Sequence, residues 1–225
     1  MSIVDETWQW FRAPEQWTGA SGIPSRLLEH LGYTGLTVAV SALIAIPIGL
    51  WVGHTGRLRG LAVVLSGALR ALPTLGVLTY VVLLSGLGLT PITVALTVLA
   101  IPPLLAGTYA GLEAVDRATI DAARGMGMSE WQVLTKVEIP LALPLIVGGL
   151  RSATLQVVAT ATVAAYVGLG GLGRFIIDGI ALRDDPRMVG GSIAVVVLAL
   201  VLDALFVLLQ KAATPSRAPK VPSRP

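Results

Sequence analysis

No Asp, Glu, Lys, Arg or His occurs between Ala71 and Leu112, and the same holds from Leu31 to Gly53 and from Ser152 to Gly173. Segments this long and this free of charge suit a bilayer, whose hydrocarbon a helix crosses with about 20 apolar residues. Only helices and closed barrels satisfy every backbone N–H and C=O in lipid, and these runs lack the period-two alternation of a barrel strand. The expected fold is therefore all-α and polytopic. Composition agrees, since 13% of residues are charged against roughly a quarter in soluble domains.

Five spans are expected, at roughly 31–53, 60–85, 91–111, 144–166 and 188–209. The long uncharged run holds two of them, and Gly86-Leu87-Gly88-Leu89-Thr90-Pro91 supplies the turn between. Arg70 and Pro73 interrupt the second. Either residues 58–69 form an interfacial helix and the span starts after Arg70, or Arg70 lies in the membrane and snorkels; the number of crossings is the same. With five spans, Arg57, Arg59, Arg117, Arg124, Lys136, Lys211, Arg217, Lys220 and Arg224 share one side and outnumber Arg12, Arg26, Arg174, Arg183 and Arg187 on the other. The richer side is expected to be cytoplasmic. That assigns residues 1–30 to an extracytoplasmic segment, 31–210 to the transmembrane domain with a cytoplasmic loop at 113–140, and 211–225 to a basic, proline-rich, disordered cytoplasmic tail. The first residues lack the basic flank and apolar core of a signal peptide. Their aromatics Trp8, Trp10, Phe11 and Trp17 suit an amphipathic segment resting on the outer interface.

Several chemistries are excluded. The chain has no cysteine, and its two histidines, His30 and His54, stand too far apart in sequence for a cluster, so no metal site is expected. The net charge of +3 follows from membrane orientation and does not call for nucleic acid. None of the lysines, Lys136, Lys211 and Lys220, follows a glycine, so no Walker A loop exists and ATP cannot be bound in that way. Gly168-Leu169-Gly170-Gly171-Leu172-Gly173 fits the dinucleotide pattern but follows a membrane span, not a strand; a flexible external hinge or gate is the expectation. The glycine pairs Gly49/Gly53 and Gly107/Gly111 read as helix-packing positions.

The loop DAARGMGMSEWQVLTKVEIP, Asp121 to Pro140, is the long water-loving stretch in this chain. Residues 113–124 favour helix, Gly125-Met126-Gly127 breaks it, and Ser129 with Gln132 matches a capping box for a second, short helix. Trp131, Leu134 and Val137, three apart, would share one face of that helix, and Pro140 would end it. A connector lying on the bilayer surface should be more basic than this balanced segment. A docking element fits better.

Asp121-Ala122-Ala123, three residues to Gly127, nine more to Val137, then Ile139 and Pro140, resembles the EAA motif of ABC-importer permeases: Glu-Ala-Ala, three residues, Gly, nine residues, Ile, one residue, Leu-Pro. Asp for Glu, Val for Ile and Ile for Leu are the departures, and every spacing holds. From Glu29 to Lys211 the chain is similar to the permease subunits of glycine betaine, carnitine and choline importers, through EHLGYTGLTVAVSALIAIPIGL, ALRALPTLGVL and AAYVGLGGLGRFI as well as the loop. The resemblance implies a translocation pathway for osmoprotectants built with a second permease subunit, an external substrate-binding protein and a cytosolic ATPase that uses ATP and Mg2+. It implies no catalytic site in this chain. Asp121, Ala122, Ala123, Gly125, Gly127, Ser129, Trp131, Val137, Ile139 and Pro140 would form the ATPase-coupling element, with Gly127 as its bend.

Pathway candidates come from the fourth span, where Ser152, Gln156 and Thr160 recur every fourth residue with Thr154 and Thr162 nearby. Such a stripe fits a pathway or hydrogen bonding between helices. Arg151 fits snorkelling to the cytoplasm or gating, and Asp203 a structural partner or a functional role. Tyr80 and Tyr166 fit cation–π contacts to a quaternary ammonium or interfacial anchoring. The competing readings are a permease for another small solute such as an amino acid, and an ATP-independent channel or scaffold.

Overall fold

The computed structural model describes residues 2–214, and the regular elements among them are all helical: α1 (Ile3–Arg12), α2 (Ile23–Thr55), α3 (Arg59–Arg70), α4 (Thr74–Ser85), α5 (Leu89–Glu113), α6 (Arg117–Gly125), α7 (Glu130–Val133), α8 (Ile139–Ala164), α9 (Gly173–Leu182) and α10 (Asp185–Ala213). The basic tail expected at 211–225 lies outside the described residues beyond Thr214. Four stretches are long and apolar enough to cross a membrane, Ile23–Thr55, Leu89–Glu113, Glu130–Val167 and Asp185–Ala213; α3 and α4, bent by 87°, count as a fifth when taken as one broken span.

The break follows from Pro73, which precedes α4 and biases Leu72 away from helical backbone. Each half has 12 residues, about 18 Å at 1.5 Å per residue, too short alone for a core about 30 Å thick. Arg59 at the start of α3 bonds Glu113 at the end of α5, and α4 delivers the chain to the start of α5. One crossing is therefore shared between two helices, with Arg70 at the elbow.

α5 is the centre of the bundle, with α2 on one side and α8 on the other. Small residues set these contacts. A Cβ at Gly49 would lie 2.7 Å from Thr108 Cβ, one at Gly53 2.7 Å from Leu112 Cβ, and one at Gly107 2.5 Å from the Cα of Gly149. Both Gly-xxx-Gly pairs are thus packing positions, as their spacing indicated. Lipid gives no hydrophobic drive between helices, so backbone approach and interhelical polar bonds hold the bundle together. α10 turns Leu200, Val201, Leu205 and Leu208 outward. Its Asp203 takes both nitrogens of an Arg151 fork, at 2.6 and 2.8 Å. Arg151 and Asp203 therefore pair across α8 and α10.

Further contacts order the end of the bundle opposite the loop. α2 begins at Ile23, eight residues before Leu31, because Arg26 and Glu29 pair at 2.9 Å and His30 is buried against the carbonyl of Val158 at 3.1 Å. The glycine-rich turn is anchored, not free: the Gly171 N–H donates to Glu29 at 2.8 Å, and Gly173 packs against Thr162 and Ala165. It leads into α9, and Arg174 and Arg187 both pair with Asp178 of that helix. α1 keeps Trp8 exposed, but Trp10 stacks edge-on against Phe175 at 5.4 Å and lies on Gly190.

Candidate functional site

Two features combine polar chemistry with position: the loop between α5 and α8, and a cavity at the α3–α4 elbow.

The loop folds on a small core of its own. Val115, Ile120, Ala123 and Val133 are buried together, with Met128 and Val137 against them. Asp116 caps α6 by accepting from the Ala118 N–H at 3.1 Å. At its other end Gly127 has φ +85°, the Gly127 N–H donates to the Arg124 carbonyl, and the Met128 N–H donates to the Ala123 carbonyl. These two bonds with a left-handed glycine form a Schellman closure, and the packing of Met128 on Ala123 is its usual apolar contact. The capping box forms in both directions: the Ser129 N–H donates to Gln132 Oε1 at 2.9 Å and the Gln132 N–H to Ser129 Oγ at 3.4 Å. Both local readings of the sequence are present in the fold.

Two others are not. Trp131 is 71% exposed, while Leu134 packs beside Leu112, Ala142 and Ile146 and Val137 packs into the loop core, so the three do not share one outer face. Nor does Pro140 end the helix. Leu134–Glu138 is a π turn, with the Ile139 N–H donating to the Leu134 carbonyl, and the chain continues through it into α8 as one stretch from Glu130 to Val167. The wider turn shifts the hydrogen-bond register just ahead of a residue that has no N–H to give. Around this core Asp121, Ala122, Gly125, Gly127 and Ser129 are exposed, and Met126 joins Trp131 as a 73% exposed apolar side chain.

A chain of polar contacts ties the loop to α2. Arg124 holds both oxygens of Glu130 at 2.9 and 3.0 Å. Glu130 lies 3.4 Å from His54 Nε2, and His54 Nδ1 bonds the buried Glu138. The Arg124 hydrogen bond keeps the Glu130 carboxyl below the ordinary carboxylate value. His54, dismissed in the sequence as isolated, is the junction of this chain. Eighty-four positions separate it from Glu138, and no spacing rule connects residues that far apart.

The cavity has a volume of about 360 Å3 and is bordered by Arg70 and Thr74, by Leu99 and Pro103 of α5, and by Ser152 and Gln156 of α8. Thr160 leaves the expected stripe: it is buried and its hydroxyl donates to the Gln156 carbonyl of its own helix at 2.9 Å, as Thr154 and Thr162 do to theirs. Tyr80 and Tyr166 are exposed elsewhere and do not border the cavity.

Residues 45–217 match the family model described as binding-protein-dependent transport system inner membrane component. Similar curated proteins include a glycine betaine/carnitine/choline transport system permease protein of Bacillus subtilis, 32% identical over 83% of this chain and 86% of that one. A carnitine transport permease protein of Listeria monocytogenes is 34% identical, again over 83% of this chain and 86% of its own. Among solved structures, the inward-facing methionine ABC transporter MetNI aligns with a TM-score of 0.77 at 22% identity, over 85% of this chain and 96% of that one. A likeness at that identity bears on the fold alone.

Proposed function

The chain belongs to the family of inner membrane components of binding-protein-dependent transport systems, and on that premise we propose that it forms the pathway of an osmoprotectant importer, coupled through the α6–α7 loop to a separate ATPase. As a permease component of an ABC importer it works with an ATPase and a substrate-binding protein. A second permease subunit completes the pathway. The substrate class is glycine betaine, carnitine, choline or a similar quaternary ammonium compound, supported by the substrates named for relatives that share about a third of its residues.

The observation that carries the coupling role is the loop's construction. A protruding unit with its own core, exposed Met126 and Trp131 at its surface, and a rigid continuation into α8 is a lever. Force applied to α7 by a partner reaches α8 without a flexible joint, while the Arg124–Glu130–His54–Glu138 chain transmits it to α2. Two ATPase states that hold the loops at different separations would then bias two arrangements of the spans. The excess of Lys and Arg on the loop side supports a cytoplasmic loop and an external N-terminus.

Reconstitution of the chain with the ATPase and binding-protein subunits encoded beside it tests this reading. ATP-dependent uptake of labelled glycine betaine, carnitine or choline into proteoliposomes is expected, and Gly127→Arg is expected to abolish it. Assembly with ATP hydrolysis but no uptake of any of the three refutes the substrate class; failure of any ATPase to associate refutes the coupling role.

A further inference from the structure

We propose that Arg70, with Gln156, is a carboxylate-binding station inside the membrane that makes the pathway selective for zwitterionic osmolytes, carrying a carboxylate beside the quaternary nitrogen, over purely cationic ones such as choline. The inference rests on the osmoprotectant reading above and narrows it.

Depth is the first argument. Leu99 and Pro103 bracket the middle of α5 (Leu89–Glu113), and Ser152 sits at the middle of α8 (Ile139–Ala164), so the cavity they border lies near mid-membrane. The broken helix opens there, and Arg70 is the last residue before the break. An ionised side chain at that depth is expensive without a partner and marks an ion or substrate path.

Partnership is the second. Arg151, at the middle of α8, has Asp203 on both nitrogens, and Arg59 and Arg124 at the loop end have Glu113 and Glu130. Arg70 has no ion pair among the described residues. Its guanidinium is always charged and presents a planar fork that fits the two oxygens of a carboxylate. The Gln156 amide adds donors on the same cavity. Ser152 borders the same space, but its hydroxyl is committed to the Gly148 carbonyl at 3.0 Å and so supplies no donor to a carboxylate.

Shape and sign complete the case. A volume of about 360 Å3 is at the lower end of small-molecule sites, which run from roughly 300 to 1,000 Å3. Leu69, Leu72 and Leu99 give the remaining wall an apolar lining for N-methyl groups. A zwitterion places its carboxylate on Arg70 and its methyls against these leucines. A cation without a carboxylate brings only repulsion to the guanidinium.

The test compares wild type, Arg70→Lys and Arg70→Gln in proteoliposomes with the same ATPase and binding protein, following uptake of glycine betaine, carnitine and choline together with ATP hydrolysis stimulated by loaded binding protein. Because the binding protein is constant, any change in substrate ratio belongs to the permease. Expected is a loss of zwitterion uptake of at least tenfold in Arg70→Gln, partial retention in Arg70→Lys, no loss of whatever choline uptake wild type shows, and stimulated hydrolysis in every variant. Equal zwitterion uptake by wild type and Arg70→Gln overturns the station while leaving the osmoprotectant reading intact, as does a wild type that moves choline alone. A parallel loss of uptake and assembly in Arg70→Gln also overturns it, because Arg70 is then structural. A wild type that hydrolyses ATP and moves none of the three fails on the substrate reading itself, and the station falls with it.

Discussion

Gly107→Ala tests whether the helices that flank the loop are held by backbone contact. The added Cβ would sit 2.5 Å from Gly149 Cα and 2.9 Å from its N, with the Leu145 carbonyl at 3.1 Å. Non-bonded carbons rest about 3.5–4.0 Å apart, so α5 and α8 must separate by roughly 1 Å, and no flexible side chain is present to yield. A gap of 0.5–1 Å forfeits about a quarter to a half of each dispersion contact across it. The contacts at stake include Leu104, Leu112, Ala142 and Ala153, all buried to within a few per cent. Overpacking costs about 1–3 kcal/mol, and a backbone-to-backbone clash belongs at the upper end. At about 2–4 °C per kcal/mol for a chain of this size, the unfolding midpoint in detergent should fall by roughly 6–12 °C. Gly32→Ala is the control. Gly32 is exposed in α2 with nothing within 4 Å of the added carbon, so alanine there should be neutral or add about 0.5–1 kcal/mol from helix propensity. Tryptophan fluorescence against temperature reads both, and a Gly107→Ala midpoint no lower than that of Gly32→Ala would refute the packing argument.

Trp131→Ala removes an exposed side chain from a folded loop, so the melting midpoint should hold while association with the ATPase, measured by co-purification and titration, weakens at least tenfold. Glu138→Ala leaves His54 without its buried partner and should cost about 1.5–3 kcal/mol of unfolding free energy. The same change in a His54→Ala background should cost distinctly less, because both mutations delete one contact; additive losses would show that the two side chains do not interact. Asp203→Leu strands Arg151 in the membrane and should cut the yield of folded protein, with Arg151→Met in addition restoring it; no recovery would argue against the pair. Thr160→Val is expected to leave uptake unchanged, since the hydroxyl serves only its own helix, and a substantial loss of uptake would return Thr160 to the pathway.

The membrane setting, the five apolar stretches, the glycine packing pairs, and the glycine turn and capping box of the loop were legible in the residue order. Each depends on something short in range: a bilayer's thickness sets the length of uncharged runs, a left-handed backbone selects Gly127, and Ser129 reaches Gln132 within one helical turn. The family pattern from Asp121 to Pro140 is legible for the same reason, as it lies in one segment. Where each helix turns its side chains was decided only by the tertiary structure. Spans that are apolar all round carry no moment to show which face meets a neighbour, because lipid and protein interior are equally apolar. The sequence therefore could not pair Arg151 with Asp203 or His54 with Glu138, turn Leu134 and Val137 inward, or remove Thr160 from the stripe. For the same reason only the packed helices bring Arg70, Ser152 and Gln156 to one cavity, since the bend at Pro73 and the rotation of α8 must both be set before those side chains can meet.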